Sequence, residues 1–272
     1  MNLKHLFFLA VAGTLAVACS EVNESSFTDG DGQKRLSSVS SGNDRFSTRL
    51  NSETSEWESE DAIGIYMFDT EDKNVLNDAL NVKYTTIGSG RTVNFSSSPG
   101  IAIYDMPVNF VAYYPHTTSA DVLDATAALY KVDLGEQSDG ISAHDLMWAK
   151  AANQSTESLL AGGLAFTFHH QLVLLRVNIT NENVSNVTSV TVGGMNTTAT
   201  FNLIDGTLTN MDTPKPVDLQ KKDDKSFIGI MLPAEEVINK MSLTIMADGS
   251  KYQYTVPETS RIDKFVAGYE YT

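Results

Sequence analysis

The chain has 272 residues, of which 42% are hydrophobic, and a formal net charge of −15 at pH 7. After an export segment is removed, this length accommodates two domains of roughly 110 residues each. The negative charge argues strongly against a nucleic-acid-binding protein, because phosphate binding needs clustered Lys and Arg.

The first 19 residues have the pattern of a secretory signal peptide that ends at the only cysteine. Lys4 supplies a positive charge, and an apolar stretch over residues 6–18 follows it, too short for a membrane anchor. The segment over residues 15–19 resembles a bacterial lipobox, although Leu15 stands one position earlier than is usual. We therefore predict a signal peptide over residues 1–18 and a lipid on Cys19. The alternative is an ordinary cleaved signal with a chance cysteine.

Residues 19–52 form a polar tract with few aromatic or large aliphatic side chains. Such a segment cannot bury enough surface to offset the entropy of ordering it, so composition predicts a flexible tether or propeptide. Lys34, Arg35, Arg45 and Arg49 lie within this tract, where proteases find accessible backbone.

From Trp57 onward, short alternating runs of β-branched and aromatic residues are separated by turn residues. The Ala and Leu spacing over residues 119–131 predicts one short helix. We predict an N-terminal β-sandwich over residues 53–157. Its predicted strands cover residues 63–68, 84–87, 93–95, 108–114 and 146–149, and the second and third form a hairpin around a Gly-Ser-Gly turn.

A linker rich in small and polar residues over 153–163 precedes a more regular second half. Asp205-Gly206 and Asp248-Gly249 predict hairpin turns. The fold class is therefore all-β, with two tandem β-sandwiches and few short helices, the second sandwich covering residues 158–272. Its predicted strands cover residues 164–168, 172–180, 187–192, 198–203, 227–232, 241–246, 252–256 and 269–271.

The sequence offers no catalytic, metal or cofactor site, and we expect no enzyme activity. His169 and His170 would point to opposite faces of a strand, so they cannot chelate one metal together. We expect one ring to face inward with a hydrogen bond and the other to face outward. A nucleophile elbow is absent from the sequence, and Cys19 lies outside the predicted folded part.

Two aromatic strings are candidates for a sugar-binding platform. They are Tyr113-Tyr114 and the Tyr252–Tyr254 segment. Core and cross-strand packing is the alternative for both.

Taken in order, several segments resemble the fimbrillin-like lipoproteins of Bacteroidetes, which are major and minor fimbrial subunits. The resemblance covers nearly the whole chain beyond residue 55. The residues that carry it are Trp57 and the segments 61–67, 110–115, 145–149, 166–172, 232–233 and 267–271.

The resemblance implies two sandwiches of transthyretin-like topology and a lipoprotein displayed on the cell outer membrane and in the fimbrium. It also implies that an arginine-specific protease removes the leader with the first strand. The C-terminal strand of a neighbouring subunit then fills the groove that the removed strand leaves open. The matching cleavage sites are Arg45, which we favour, and Arg49. The removed strand would lie upstream, where residues 36–40 alternate faintly.

The implied function is a structural or adhesive fimbrial subunit of the minor or tip type. Its partners would be other fimbrial subunits, bound by β-strand addition, and a surface ligand or glycan on a host or bacterium. The alternative is a non-polymerising, glycan-binding outer-membrane lipoprotein. Family members usually continue beyond the motif matching residues 268–271, so a chain ending at Thr272 would accept a donor strand without supplying one. A truncated sequence is the other explanation.

Overall fold

The computed structural model describes residues 27–30, 33–43, 47–48, 56–76 and 78–272. Within these ranges the chain forms 21 β-strands, one α-helix (α1, Thr156–Gly162) and one 3-10 turn (Ile141–Ala143). The predicted all-β class is confirmed.

The largest sheet closes on itself, and we call it the closed sheet. β2 pairs with the strands on both of its sides, which completes the ring, and β1 adds to part of one edge of β2. In spatial order its strands are β1 (Phe27–Gly30), β2 (Gln33–Asn43), β11 (Ala165–His170), β10 (Met147–Gln154), β7 (Val108–Tyr114), β4 (Ala62–Phe68), β5 (Val82–Thr86) and β6 (Thr92–Ala102).

Three smaller sheets complete the described part of the fold. A five-stranded sheet contains β17 (Gln220–Lys221), β18 (Ser226–Met231), β12 (Val173–Asn178), β21 (Tyr269–Tyr271) and β3 (Ser47–Thr48). One four-stranded sheet contains β16 (Val217–Asp218), β13 (Val187–Gly193), β19 (Ser242–Ala247) and β20 (Ser250–Thr255). The other contains β15 (Thr207–Pro214), β14 (Asn196–Asn202), β9 (Leu129–Asp133) and β8 (Leu123–Asp124).

Three hydrophobic clusters hold these sheets together. The first fills the closed sheet and includes Trp57 and Phe110. The second joins the outer face of the closed sheet to β14 and β18, and it includes Tyr113 and Phe201. The third, around Phe227, lies between the five-stranded sheet and the sheet of β13 and β19.

The strands with the clearest sequence signal are buried on both faces. In β4, Ile63 and Ile65 point into the closed sheet, whereas Tyr66 and Phe68 pack in the second cluster. A strand covered on both sides reads as a continuous apolar run. This is why β4 and β7 stand out in the sequence.

The helix predicted over residues 119–131 is wrong. The segment forms β8, a turn and the start of β9, and Ala128 in that turn has a φ of 54°. The Ala and Leu spacing is overridden because β9 pairs with β14, which places Tyr130 and Val132 in the second cluster.

The segment predicted as a linker contains α1. The Ser155 side chain accepts a hydrogen bond from the Ser158 amide at its N-cap. Leu159 is buried with the interior of the closed sheet. Strand pairs cross the predicted boundary at 157/158, since β11 pairs with β10 and β9 pairs with β14. The two-domain division stays a prediction.

Candidate functional site

β2 completes the closed sheet although it comes from the polar N-terminal tract. Residues 35–42 pair antiparallel with β6, and residues 40–43 pair parallel with β11. β1 pairs with residues 33–36. The prediction of a flexible tether is therefore wrong for residues 33–43, because pairing along both edges satisfies backbone groups that composition alone leaves open. The faint alternation over residues 36–40 does mark a strand.

Three side chains of β2 face the interior of the closed sheet. Leu36, Val39 and Ser41 are at most 1% exposed. The register with β6 shifts between Leu36 and Ser38, so the inward spacing is three residues and then two. Their partners across β6 are Ile101, Phe95 and Val93, respectively.

Two residues outside β2, Gly100 and Tyr84, lie against the Leu36 carbonyl group. Gly100 has a φ of 75°, and a Cβ atom at this position would lie 2.2 Å from the Leu36 carbonyl oxygen. The Tyr84 hydroxyl donates a hydrogen bond to the same oxygen and accepts one from the Ile101 amide at 3.1 Å. Burial raises the pKa of Tyr84, so its hydroxyl stays a donor. Tyr84 therefore links β2 to β6.

An aromatic group packs beside the β2 position. The Trp57 ring makes edge contacts with Phe95, Tyr114 and Phe168, with centroid distances of 5.0 to 5.3 Å. Phe95 and Phe168 belong to the strands that flank β2. Trp57 Nε1 and Ser41 Oγ are buried without a hydrogen-bond partner among the described residues.

The C-terminal strand β21 is held differently. It pairs parallel with β12 on one edge and with β3 on the other. Glu270 is 2% exposed, and its Oε1 atom accepts a hydrogen bond from Arg176 Nε at 2.7 Å. The Tyr271 hydroxyl accepts a hydrogen bond from the Val266 amide at 3.0 Å.

The predicted processing residues Cys19, Arg45 and Arg49 lie outside the described residues, as does the predicted signal peptide. In the sequence, Arg45 stands between β2 and β3, and Arg49 directly follows β3.

The histidine pair is arranged as predicted. His170 is buried, with Nδ1 2.8 Å from Asp145 Oδ1, whereas His169 is exposed. Over the described ranges, no group of three or more His, Cys, Asp or Glu side chains could hold a metal ion. The same ranges contain no helix that is both long and apolar enough to cross a membrane.

The two aromatic strings have different environments. Tyr113 is fully buried, and its hydroxyl donates to Asn81 Oδ1 at 2.6 Å. Tyr114 packs on Trp57. Tyr113 is therefore not available to stack on a sugar, and Tyr114 is half-buried, so both rings serve packing. Tyr252 and Tyr254 on β20 are 47% and 49% exposed.

The fold and the site define an all-β sandwich protein in which an N-terminal strand completes a sheet made by the rest of the chain. A family model described as fimbrillin-like matches residues 48–272. The chain therefore belongs to the fimbrillin-like family, a family of fimbrial and adhesion subunits rather than a class of enzymes. The resemblance found in the sequence is confirmed.

Relatives and solved structures agree with this membership. A Bacteroides uniformis protein named "Putative fimbrium subunit Fim1C" is 31% identical over 290 residues, which cover 100% of this chain and 89% of the relative. The crystal structure of a "putative cell adhesion protein" from the same species is 26% identical, with a TM-score of 0.69 over 89% of this chain and 91% of that one. A similarly described Bacteroides ovatus structure, 18% identical, shares the fold with a TM-score of 0.62 over 86% and 88% of the two chains.

Proposed function

We propose that this chain is the precursor of a fimbrial subunit that assembles by donor-strand exchange. A protease separates β2 from the folded body, and a strand of another subunit takes its place. The observation that carries the proposal is the position of β2, an N-terminal strand paired along both edges. Its loss opens an apolar slot bordered by unpaired backbone groups, which another strand satisfies best.

Cleavage after Arg45 fits the strand order better than cleavage after Arg49. The first cut separates β2 and leaves β3 paired with β21, whereas the second cut detaches β3 as well. The family match that begins at residue 48 agrees with a mature unit that lacks β2.

The proposal includes a lipid on Cys19 that holds the precursor at the cell outer membrane, exposed at the surface. Two or three acyl chains bind a membrane firmly, whereas one chain binds reversibly. Processing would then release the subunit into the fimbrium, with other fimbrial subunits as partners. The minor or tip position stays a prediction from the sequence.

N-terminal mass analysis of the protein isolated from cells tests this function. We expect a mature chain that starts at Phe46, and we expect Arg45→Ala to retain the lipidated precursor while Arg49→Ala is processed normally. A start at Leu50 would move the cut to Arg49. Mature protein that keeps a lipidated Cys19 and an intact tract would overturn the pilin function.

The glycan-binding alternative rests on Tyr252 and Tyr254, which are two positions apart on β20 and therefore share a face. Exposed aromatic rings on one face can stack on sugar rings. A glycan array tests this, with Tyr252→Ala and Tyr254→Ala expected to abolish any binding and Gln253→Ala, on the opposite face, expected to preserve it. Binding that survives both tyrosine substitutions would remove this candidate.

A further inference from the structure

Of the three inward residues of β2, Ser41 is the least suited to the apolar interior of the closed sheet. Its Cα partners are Val93 on β6 and Phe166 on β11, and both side chains belong to the apolar interior of the closed sheet. Ser41 is 1% exposed, and its hydroxyl has no hydrogen-bond partner among the described residues. A buried hydroxyl without a partner loses its hydrogen bonds to water and gains none in return.

The other residues of β2 add little apolar surface to offset the cost of burying the Ser41 hydroxyl. Leu36 and Val39 are the only large apolar side chains among its eleven residues. The flanking strands direct larger apolar groups inward, including Phe95, Ile101 and Phe168. The inward side chains of the strands that flank β2 are therefore more apolar than the inward side chains of β2 itself.

Two strands that compete for this position in the same register make the same backbone hydrogen bonds, so those bonds largely cancel in the comparison. The difference in affinity then depends on the inward side chains. Leu36 and Val39 already suit their positions, whereas the position of Ser41 can be improved by removing the hydroxyl. The closeness of Val93 and Phe166 limits the replacement to a small side chain, because overpacking an interior is itself destabilising.

This inference rests on the proposed function: we propose that the closed sheet selects an incoming subunit strand with Ala, a small apolar residue, at the Ser41 position. β2 is the weaker occupant of the two. While β2 is covalently linked, its high effective concentration keeps it in place. Once the link is cut, that advantage is lost and the better-fitting strand replaces it.

A peptide-exchange experiment on the full folded chain tests this selection. Residues 44–46 are replaced by the recognition sequence of a specific protease, and the chain is cut there. Synthetic peptides of residues 33–43 then compete for the position, and native mass spectrometry measures their occupancy. The peptides carry the native sequence, Ser41→Ala, or Ser40→Ala. Ser40→Ala is the matched control, because Ser40 is the neighbouring serine on the opposite face and is half-buried.

We expect the Ser41→Ala peptide to bind about ten-fold more tightly than the native and Ser40→Ala peptides. Equal affinity of all three peptides would overturn the selection and leave strand exchange standing. If no peptide replaces β2 in a chain that stays folded, donor-strand exchange itself fails.

The intact chain provides a second measurement that does not depend on exchange. Ser41→Ala is expected to raise the melting temperature relative to Ser40→Ala. A melting temperature that is unchanged or lower would overturn the inference at Ser41, whatever the peptides do.

Discussion

β2 and β21 both lie near the ends of the described chain and both pair along two edges, but different interactions hold them. β2 is an eleven-residue strand that relies on backbone pairing and two large apolar side chains. β21 has three residues; a buried ion pair joins it to β12, and its Tyr271 hydroxyl bonds the segment just before it at Val266.

This difference indicates which strand the fold can exchange. Backbone hydrogen bonds are common to any strand in the same register, so a strand held mainly by them can be replaced by another. The contact between Arg176 and Glu270 is specific to one sequence, because it needs a carboxylate at one position of β21. The N-terminal strand is thus suited to replacement and β21 to retention.

The largest expected effect comes from breaking the ion pair of β21. Arg176→Met removes the guanidinium beside the buried Glu270 carboxylate, and we expect the free energy of unfolding to fall by about 3–5 kcal/mol. Urea unfolding of the full chain measures this. The double variant Arg176→Met/Glu270→Met is the control, and it should recover most of the loss. A single variant as stable as the native chain would show that β21 is not held by this pair.

A smaller effect is expected at the backbone of β2. Gly100→Ala places a Cβ atom against the Leu36 carbonyl oxygen and strains a backbone with positive φ, at a cost of about 1–3 kcal/mol. Gly249→Ala is the matched control, because Gly249 has a φ of 72° and nothing within 4 Å of its added Cβ.

Hydrogen exchange should show faster exchange of the β2 amides in Gly100→Ala only. Equal effects of the two variants would mean that the close approach to β2 contributes nothing beyond backbone strain.

The smallest effect distinguishes two fully buried tyrosines. Tyr84→Phe removes the hydroxyl that bonds Leu36 and Ile101, and we expect a loss of about 1–2 kcal/mol. Tyr66 is equally buried, but its hydroxyl has no partner among the described residues. Tyr66→Phe should therefore be neutral or slightly stabilising. Thermal unfolding compares the two, and equal losses would refute a role of the Tyr84 hydroxyl in holding β2.

Local sequence predicted most strands, because alternation and turn residues are local signals. The hairpin turns at Asp205-Gly206 and Asp248-Gly249 lie where they were predicted, between β14 and β15 and between β19 and β20. The helix over residues 119–131 was wrong, because a distant strand, β14, provides pairing that local propensity does not include. The fold of α1 inside the predicted linker was missed for a related reason, since its only buried residue, Leu159, packs into a core assembled from other segments.

The candidate site was only partly visible in the sequence. The faint alternation around Leu36 and Val39 marked a strand, but nothing local showed that it would lie between β6 and β11. No signal in the sequence showed that Gly100 and Tyr84 help to hold β2, because their roles depend on how close they lie to the Leu36 carbonyl oxygen.

By itself the sequence determined the all-β class, the family resemblance and most strand positions, since periodicity and turn chemistry are properties of neighbouring residues. The tertiary structure alone decided that the strand of the polar N-terminal tract lies between β6 and β11 and closes a sheet. Burial and pairing of that strand depend on residues about 50 to 130 positions away along the chain. A composition argument treats the tract in isolation, whereas the closed sheet provides hydrogen-bond partners on both edges of β2.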